Sequence, residues 1–113
     1  MRTEEQKQRL IAWAEALESG KYSQAMGRLT TLDIEGERGF CCIGVACEVE
    51  RIPRVSDTYV FPSERRLAYN ADDAWFREKF GLSQEDQCKL VKMNDIARKS
   101  FKEIAVQLRE WAQ

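Results

Sequence analysis

The sequence contains no histidine at all. That removes the commonest general base and the one side chain whose unperturbed charge changes near neutrality. It also lacks an apolar run of membrane-spanning length: the longest, Phe40 to Ala46, is interrupted by Gly44. An excess of either charge is missing too, since Lys and Arg total 18 against 19 Asp and Glu, a formal charge of −1. A protein that lives on phosphate contacts usually shows a basic excess or a basic face. Basic and acidic residues here read as interleaved, and the nearest basic cluster, Arg65-Arg66, directly follows Glu64. Charge therefore gives nucleic-acid binding no support. The polar, acidic start from Met1 to Glu5 does not read as a signal peptide, so the expected location is the cytoplasm.

What remains is ordinary for one globular domain over residues 1–113, with 43% hydrophobic and 33% charged residues. Four cysteines are present, Cys41, Cys42, Cys47 and Cys88, three of them in one apolar segment. Adjacent cysteines rarely bridge each other, and a disulfide scaffold would spread its cysteines through loops, so reduced thiols are expected. Zinc needs paired ligands such as C-x2-C twice over, which the Cys-Cys-x4-Cys spacing does not offer. No metal and no cofactor are expected.

Patterning predicts an α+β fold, mostly α, with about five helices around a buried Cys-rich helix and a small β-hairpin. Thr3 with Gln6 forms a capping box, Leu10, Trp13, Ala14 and Leu17 recur at helical spacing, and Ser19-Gly20 closes a helix over 4–18. Leu29 to Leu32 favour a strand, Asp33 to Gly36 a turn, and Arg38 to Cys41 the returning strand. Such a hairpin needs a third strand or a helix to lie on, and Tyr59-Val60-Phe61 is the candidate third strand. Cys42 to Glu50 reads as a short helix buried on nearly all sides and stopped by Pro53, with Arg51 to Tyr69 a long loop. Asp72 or Asp73 caps a helix carrying Trp75, Phe76 and Phe80. Ser83 with Asp86 opens another, whose apolar side is Cys88, Leu90, Val91 and Met93 and which Asn94-Asp95 breaks. Ser100 with Glu103 opens the last, carrying Phe101, Ile104, Ala105, Leu108, Trp111 and Ala112.

Few residues suggest chemistry. Cys41 lies near a predicted helix N-terminus, the one place where a thiolate would be favoured, though a small buried core residue is the simpler reading. Glu48 follows an apolar run, so it sits either at the rim of the buried helix or paired with a base such as Arg28. The last two helices invite a DNA-binding helix-turn-helix reading, but the 94–99 connection is too long for the motif and no recognition helix follows Ser100–Ala105. No catalytic residue emerges, and an enzyme is not expected.

Several words recur together in a known setting: Trp13 with Ser19-Gly20-Lys21-Tyr22-Ser23-Gln24, Gly39 through Glu48 with its Cys-Cys-Ile-Gly-Val core, Lys92-Met93-Asn94-Asp95, and Ser100 to Ala105. In these the chain resembles a family of small accessory proteins of tailed phages and prophages, over nearly its whole length. Met93 stands where leucine is common in that family, and the segment before Ser100 is longer and more basic. The resemblance implies expression in a bacterial host cytoplasm and brings no catalytic residue with it.

Small accessory phage proteins commonly disarm host defence. The expectation is a non-enzymatic counter-defence protein that sequesters a small anionic, nucleotide-like immune signal. Tyr22 would stack a base, Arg28 would fork onto a phosphate, and Gln24, Asn94 and Asp95 would read polar edges. Asn94-Asp95 as a plain helix terminator is the competing reading. The alternative function is an inhibitor that docks on a host defence or regulatory protein through an exposed aromatic patch of Tyr59, Phe61, Trp75 and Phe76. Self-association is compatible with either.

Overall fold

The computed structural model describes residues 2–61, 67–68 and 73–113. Among them are five helices: α1 (Glu4–Glu18), α2 (Cys42–Val49), α3 (Asp73–Phe80), α4 (Gln84–Asp95) and α5 (Phe101–Trp111). Six short strands lie in two groups of three, between α1 and α2 and between α2 and α3: β1 (Ser23–Gln24), β2 (Thr30–Leu32), β3 (Arg38–Phe40), β4 (Arg54–Val55), β5 (Thr58–Val60) and β6 (Leu67–Ala68). The fold is α+β and mostly α, with the Cys-rich helix inside.

Local sequence sets most of the helix ends. Thr3, Ser83 and Ser100 each close a reciprocal capping box with Gln6, Asp86 and Glu103, satisfying backbone N–H groups that a helix start otherwise leaves unpaired. Gly20 takes a left-handed φ of +79° just past the end of α1. α1 packs most extensively on α5 and also against α2 and α3. Its Trp13 is fully buried, donates through Nε1 to the Cys42 carbonyl at 2.9 Å and stacks beside Phe76 and Phe80.

α2 is the centre of the molecule, with Cys42 through Cys47 all buried. It has room only because residue 44 is glycine: a Cβ there would fall 1.8 Å from the Leu29 carbonyl oxygen. α2 therefore meets the backbone of Leu29, the residue that leads into β2, directly, which fixes where β2 starts.

Two expectations about strands need correction. The 29–41 hairpin forms, with Thr30 opposite Phe40 and Leu32 opposite Arg38. Its third strand, however, is β1, paired in parallel with β3 through Ser23–Gly39 and Gln24–Phe40. Residues 58–60 instead join β4 and β6 in a separate three-stranded sheet, so part of the expected loop over 51–69 is a hairpin. Short strands of two or three residues carry almost no periodicity, which is why the pattern is silent there. The helix that carries Trp75 starts at Asp73, whereas Asp72 and the Arg65-Arg66 pair lie outside the described residues.

The apolar side expected for α4 is also wrong in part. The helix buries Gln87, Leu90 and Asn94, while Cys88 and Val91 face outward. Finally, there is no exposed aromatic patch at Tyr59, Phe61, Trp75 and Phe76: all four are buried. Phe61, Trp75, Phe76 and Phe80 form one cluster of edge-to-face and tilted rings with centroids 4.8–6.4 Å apart. Large aromatics bury more surface than any other side chain, and in a domain this small the core claims them.

Candidate functional site

Three of the five side chains singled out in the sequence meet at one point. Asn94, in the last turn of α4, has no exposed surface. Its Oδ1 accepts from Gln24 Nε2 at 2.9 Å and from the Cys42 backbone N–H at 3.3 Å. Its Nδ2 donates to the Ala25 carbonyl at 2.9 Å and to Asp95 Oδ1 at 2.7 Å. A primary amide has two donor hydrogens and two acceptor lone pairs, so Asn94 is fully employed. It ties β1, the first residue of α2 and the end of α4 together. Gln24 is equally committed on its nitrogen, which also donates to the Lys99 carbonyl at 2.8 Å.

This arrangement leaves particular groups over. Nδ2 of Asn94 and Nε2 of Gln24 have no further hydrogen to give, whereas Gln24 Oε1 and Asp95 Oδ2 remain as acceptors. Tyr22 lies two residues before Gln24, half-buried, with its ring perpendicular to Phe40 at 5.3 Å. The ammonium of Lys21 sits 5.7 Å from the centre of the Tyr22 ring. Arg28 is exposed on the segment between β1 and β2. Next to Gln24 a groove of about 240 Å³ is lined by Ser23, Ala25, Thr31 and Arg38, with Asp33 and Glu37 on its wall. The two carboxylates make that groove a poor place for an anion. Arg38 is already held by Asp57 at 2.9 Å.

The cysteines of α2 belong to the core. Cys41 is the N-cap, its Sγ accepting from the Gly44 N–H at 3.4 Å, and burial pushes its thiol up to about 11. Burial raises Cys42 and Cys47 well above the usual thiol range. A thiol shifted this way is a poor nucleophile at neutral pH. Among the described residues, no group of three or more Cys, Asp or Glu is placed to hold a metal ion.

Glu48 sits at the rim of α2. It accepts from the Tyr59 hydroxyl at 2.7 Å and pairs with Arg54 at 3.5 Å. Desolvation of the Tyr59 ring and this carboxylate together hold the phenol well above its usual range. The contact pins the β4–β5 hairpin onto α2. Sequence reading left open a rim position and a pairing with a base such as Arg28; Glu48 is at the rim, and the base it pairs with is Arg54, which reaches it because the hairpin folds back.

No helix of the described residues is long and apolar enough to cross a membrane. Set beside known proteins, the chain matches no protein-family model, no curated protein and no solved structure.

Proposed function

We propose that this is a phage-encoded binding protein without catalytic activity, which sequesters a small anionic, nucleotide-like signal of bacterial immunity in the host cytoplasm. The observation that carries the reading is the junction of Gln24, Asn94 and Asp95 beside Tyr22. The acceptors left over at Gln24 Oε1 and Asp95 suit ligand donors, such as a base amino group or a ribose hydroxyl. The partly open Tyr22 ring suits a base, and Lys21 and Arg28 suit a phosphate. Asn94 then works by holding Gln24 in place rather than by touching the ligand.

The test is calorimetric titration with a panel of mononucleotides, linear and cyclic dinucleotides and ADP-ribose. One member should bind, and Lys21→Glu and Arg28→Ala should each weaken it about tenfold, the worth of a charge-assisted contact. Both residues are exposed, so the melting temperature should stay near that of the wild type. A panel with no binder tighter than about 1 mM, or variants that bind as the wild type does, would overturn the reading. Native mass spectrometry of protein purified from phage-infected, defence-proficient cells tests the counter-defence role, because the captured mass must then be an immune signal.

A further inference from the structure

The hydrogen bonds of the Gln24–Asn94–Asp95 junction fix which way each amide points. The Cys42 backbone N–H can only donate, and the Ala25 carbonyl can only accept. The Asn94 amide therefore has one possible orientation, Oδ1 toward Cys42 at 3.3 Å and Nδ2 toward Ala25 at 2.9 Å. That orientation sets the next one. Asn94 Oδ1 and the Lys99 carbonyl are both acceptors, so the group of Gln24 that meets them, at 2.9 and 2.8 Å, is its NH2. Turned over, the Gln24 amide would set its oxygen against two other acceptors.

Asp95 takes the second hydrogen of Asn94 Nδ2 on Oδ1 at 2.7 Å. Its other oxygen and Gln24 Oε1 receive no donor among the described residues. Both side chains are half-buried, so these oxygens are not closed over by bulk packing. The junction thus offers a ligand acceptors only, one of them charged.

Bases differ in what they bring to such an edge. On its Watson–Crick edge adenine sets the N6 amino donor beside the N1 acceptor, and cytosine sets its N4 amino beside N3. Uracil has one N–H between two carbonyls. Each of these would press a lone pair against Gln24 Oε1 or the Asp95 carboxylate. Guanine differs from all three, because its N1–H and N2 amino group are adjacent donors. The carboxylate strengthens such a pairing through its charge. It also repels phosphate, which leaves the phosphate end of a ligand to Lys21 and Arg28.

We infer that this junction selects guanine, with its N1–H and N2 amino group on Gln24 Oε1 and Asp95. That selection presupposes the nucleotide-binding reading and narrows its ligand to a guanine nucleotide.

Calorimetric titration with ligands that differ only in the base is the test: the 5′-monophosphates of guanosine, inosine, adenosine, cytidine and uridine, and cyclic diguanylate against cyclic diadenylate. The guanine member of each set should bind tightest. Inosine monophosphate keeps N1–H but lacks the 2-amino group, and losing that bond to a charged acceptor should weaken it about tenfold. Asp95→Asn keeps Oδ1 for Asn94 and turns its free group from an acceptor into a donor. The variant should melt close to the wild type, bind the guanine ligand about tenfold more weakly and lose the preference over adenine. Adenine, cytosine or uracil ligands binding as tightly as guanine, inosine binding as tightly as guanosine, or a preference that survives Asp95→Asn would each overturn guanine selection while nucleotide binding stands. No ligand of the series, nor ADP-ribose, binding tighter than about 1 mM would remove both.

Discussion

Among the described glycines the closest approach is that of Gly44 to Leu29, the residue before β2, and Gly44→Ala measures it. The added methyl would lie 1.8 Å from the Leu29 oxygen, 2.8 Å from its carbonyl carbon and 3.3 Å from its Cα. A carbon normally approaches a carbonyl oxygen to about 3.3–3.6 Å, so helix and strand must separate by about 1.5 Å. The obstacle is backbone, which cannot rotate away as a side chain would. That shift strains the Cys41 N–H to Leu29 bond of 3.1 Å and the Thr30–Phe40 pairing beside it.

Overpacking of this kind costs about 1–3 kcal/mol, and losing a backbone hydrogen bond adds about 1 kcal/mol. Against it stands the helix preference of alanine over glycine, about 1 kcal/mol. The net expectation is a loss of about 1–3 kcal/mol. For 113 residues the unfolding entropy is about 0.24 kcal/mol per kelvin, so the melting temperature should fall by about 4–13 °C. Thermal and urea melts followed by circular dichroism give the number. Gly20→Ala is the comparison: its φ is +79° but nothing lies within 4 Å, so it should cost only about 1 kcal/mol of backbone strain. A Gly44→Ala protein as stable as the wild type, or more so, would show that helix preference rules at this position and that the close approach is not a constraint.

Three further outcomes are expected. Asn94→Ala should lower stability by about 2–4 kcal/mol, because it leaves the buried Cys42 N–H and Ala25 carbonyl unpaired and frees Gln24; a melting temperature within 2 °C or so of wild type would contradict the hub role. Maleimide at neutral pH should label one thiol quickly in the folded protein, the exposed Cys88, with Cys41, Cys42 and Cys47 reacting only after denaturation; mass spectrometry showing two rapid additions would refute this. The hydrogen bond from Arg109 holds the Glu18 carboxyl below its ordinary 4.5. Its contribution is complete above that value and is lost as pH falls through the lower folded value. Urea melts should therefore show Arg109→Gln losing less stability than the wild type between about pH 5 and about pH 3, and parallel curves would remove the pair from the account.

How much of this was legible depended on length of pattern. α1 and α5 run for 15 and 11 residues and announce themselves by capping boxes and apolar periodicity. α2 is legible for a different reason, being apolar on every side. The strands were not: β1 and β4 have two residues each, and their pairing is decided by contacts far away in sequence, such as Asn94 with Ala25. α4 misled because a buried amide and a buried glutamine, Asn94 and Gln87, take places that apolar patterning assigns to Cys88 and Val91. The aromatic residues at 59, 61, 75 and 76 misled in the opposite direction. Their neighbours are turn-rich, which suggests a surface, yet ring-to-ring packing draws them inward.

The candidate site was half legible, and the reason bears on how it works. Gln24 and Asn94 stand out as polar words beside apolar runs, and the fold does bring them together over seventy residues of chain. Sequence cannot show that the pairing uses every donor they have. A polar cluster that satisfies itself rigidifies the backbone around it, here the β1 edge and the turn leading to α5. The groups with surface to offer are the exposed Lys21 and Arg28 and the half-buried Tyr22. On the reading proposed above, Asn94 is the scaffold, and Gln24 Oε1 and Asp95 meet the ligand beside those three. Asn94→Ala should therefore lower the melting temperature first, whereas Lys21→Glu and Arg28→Ala should change affinity at constant melting temperature.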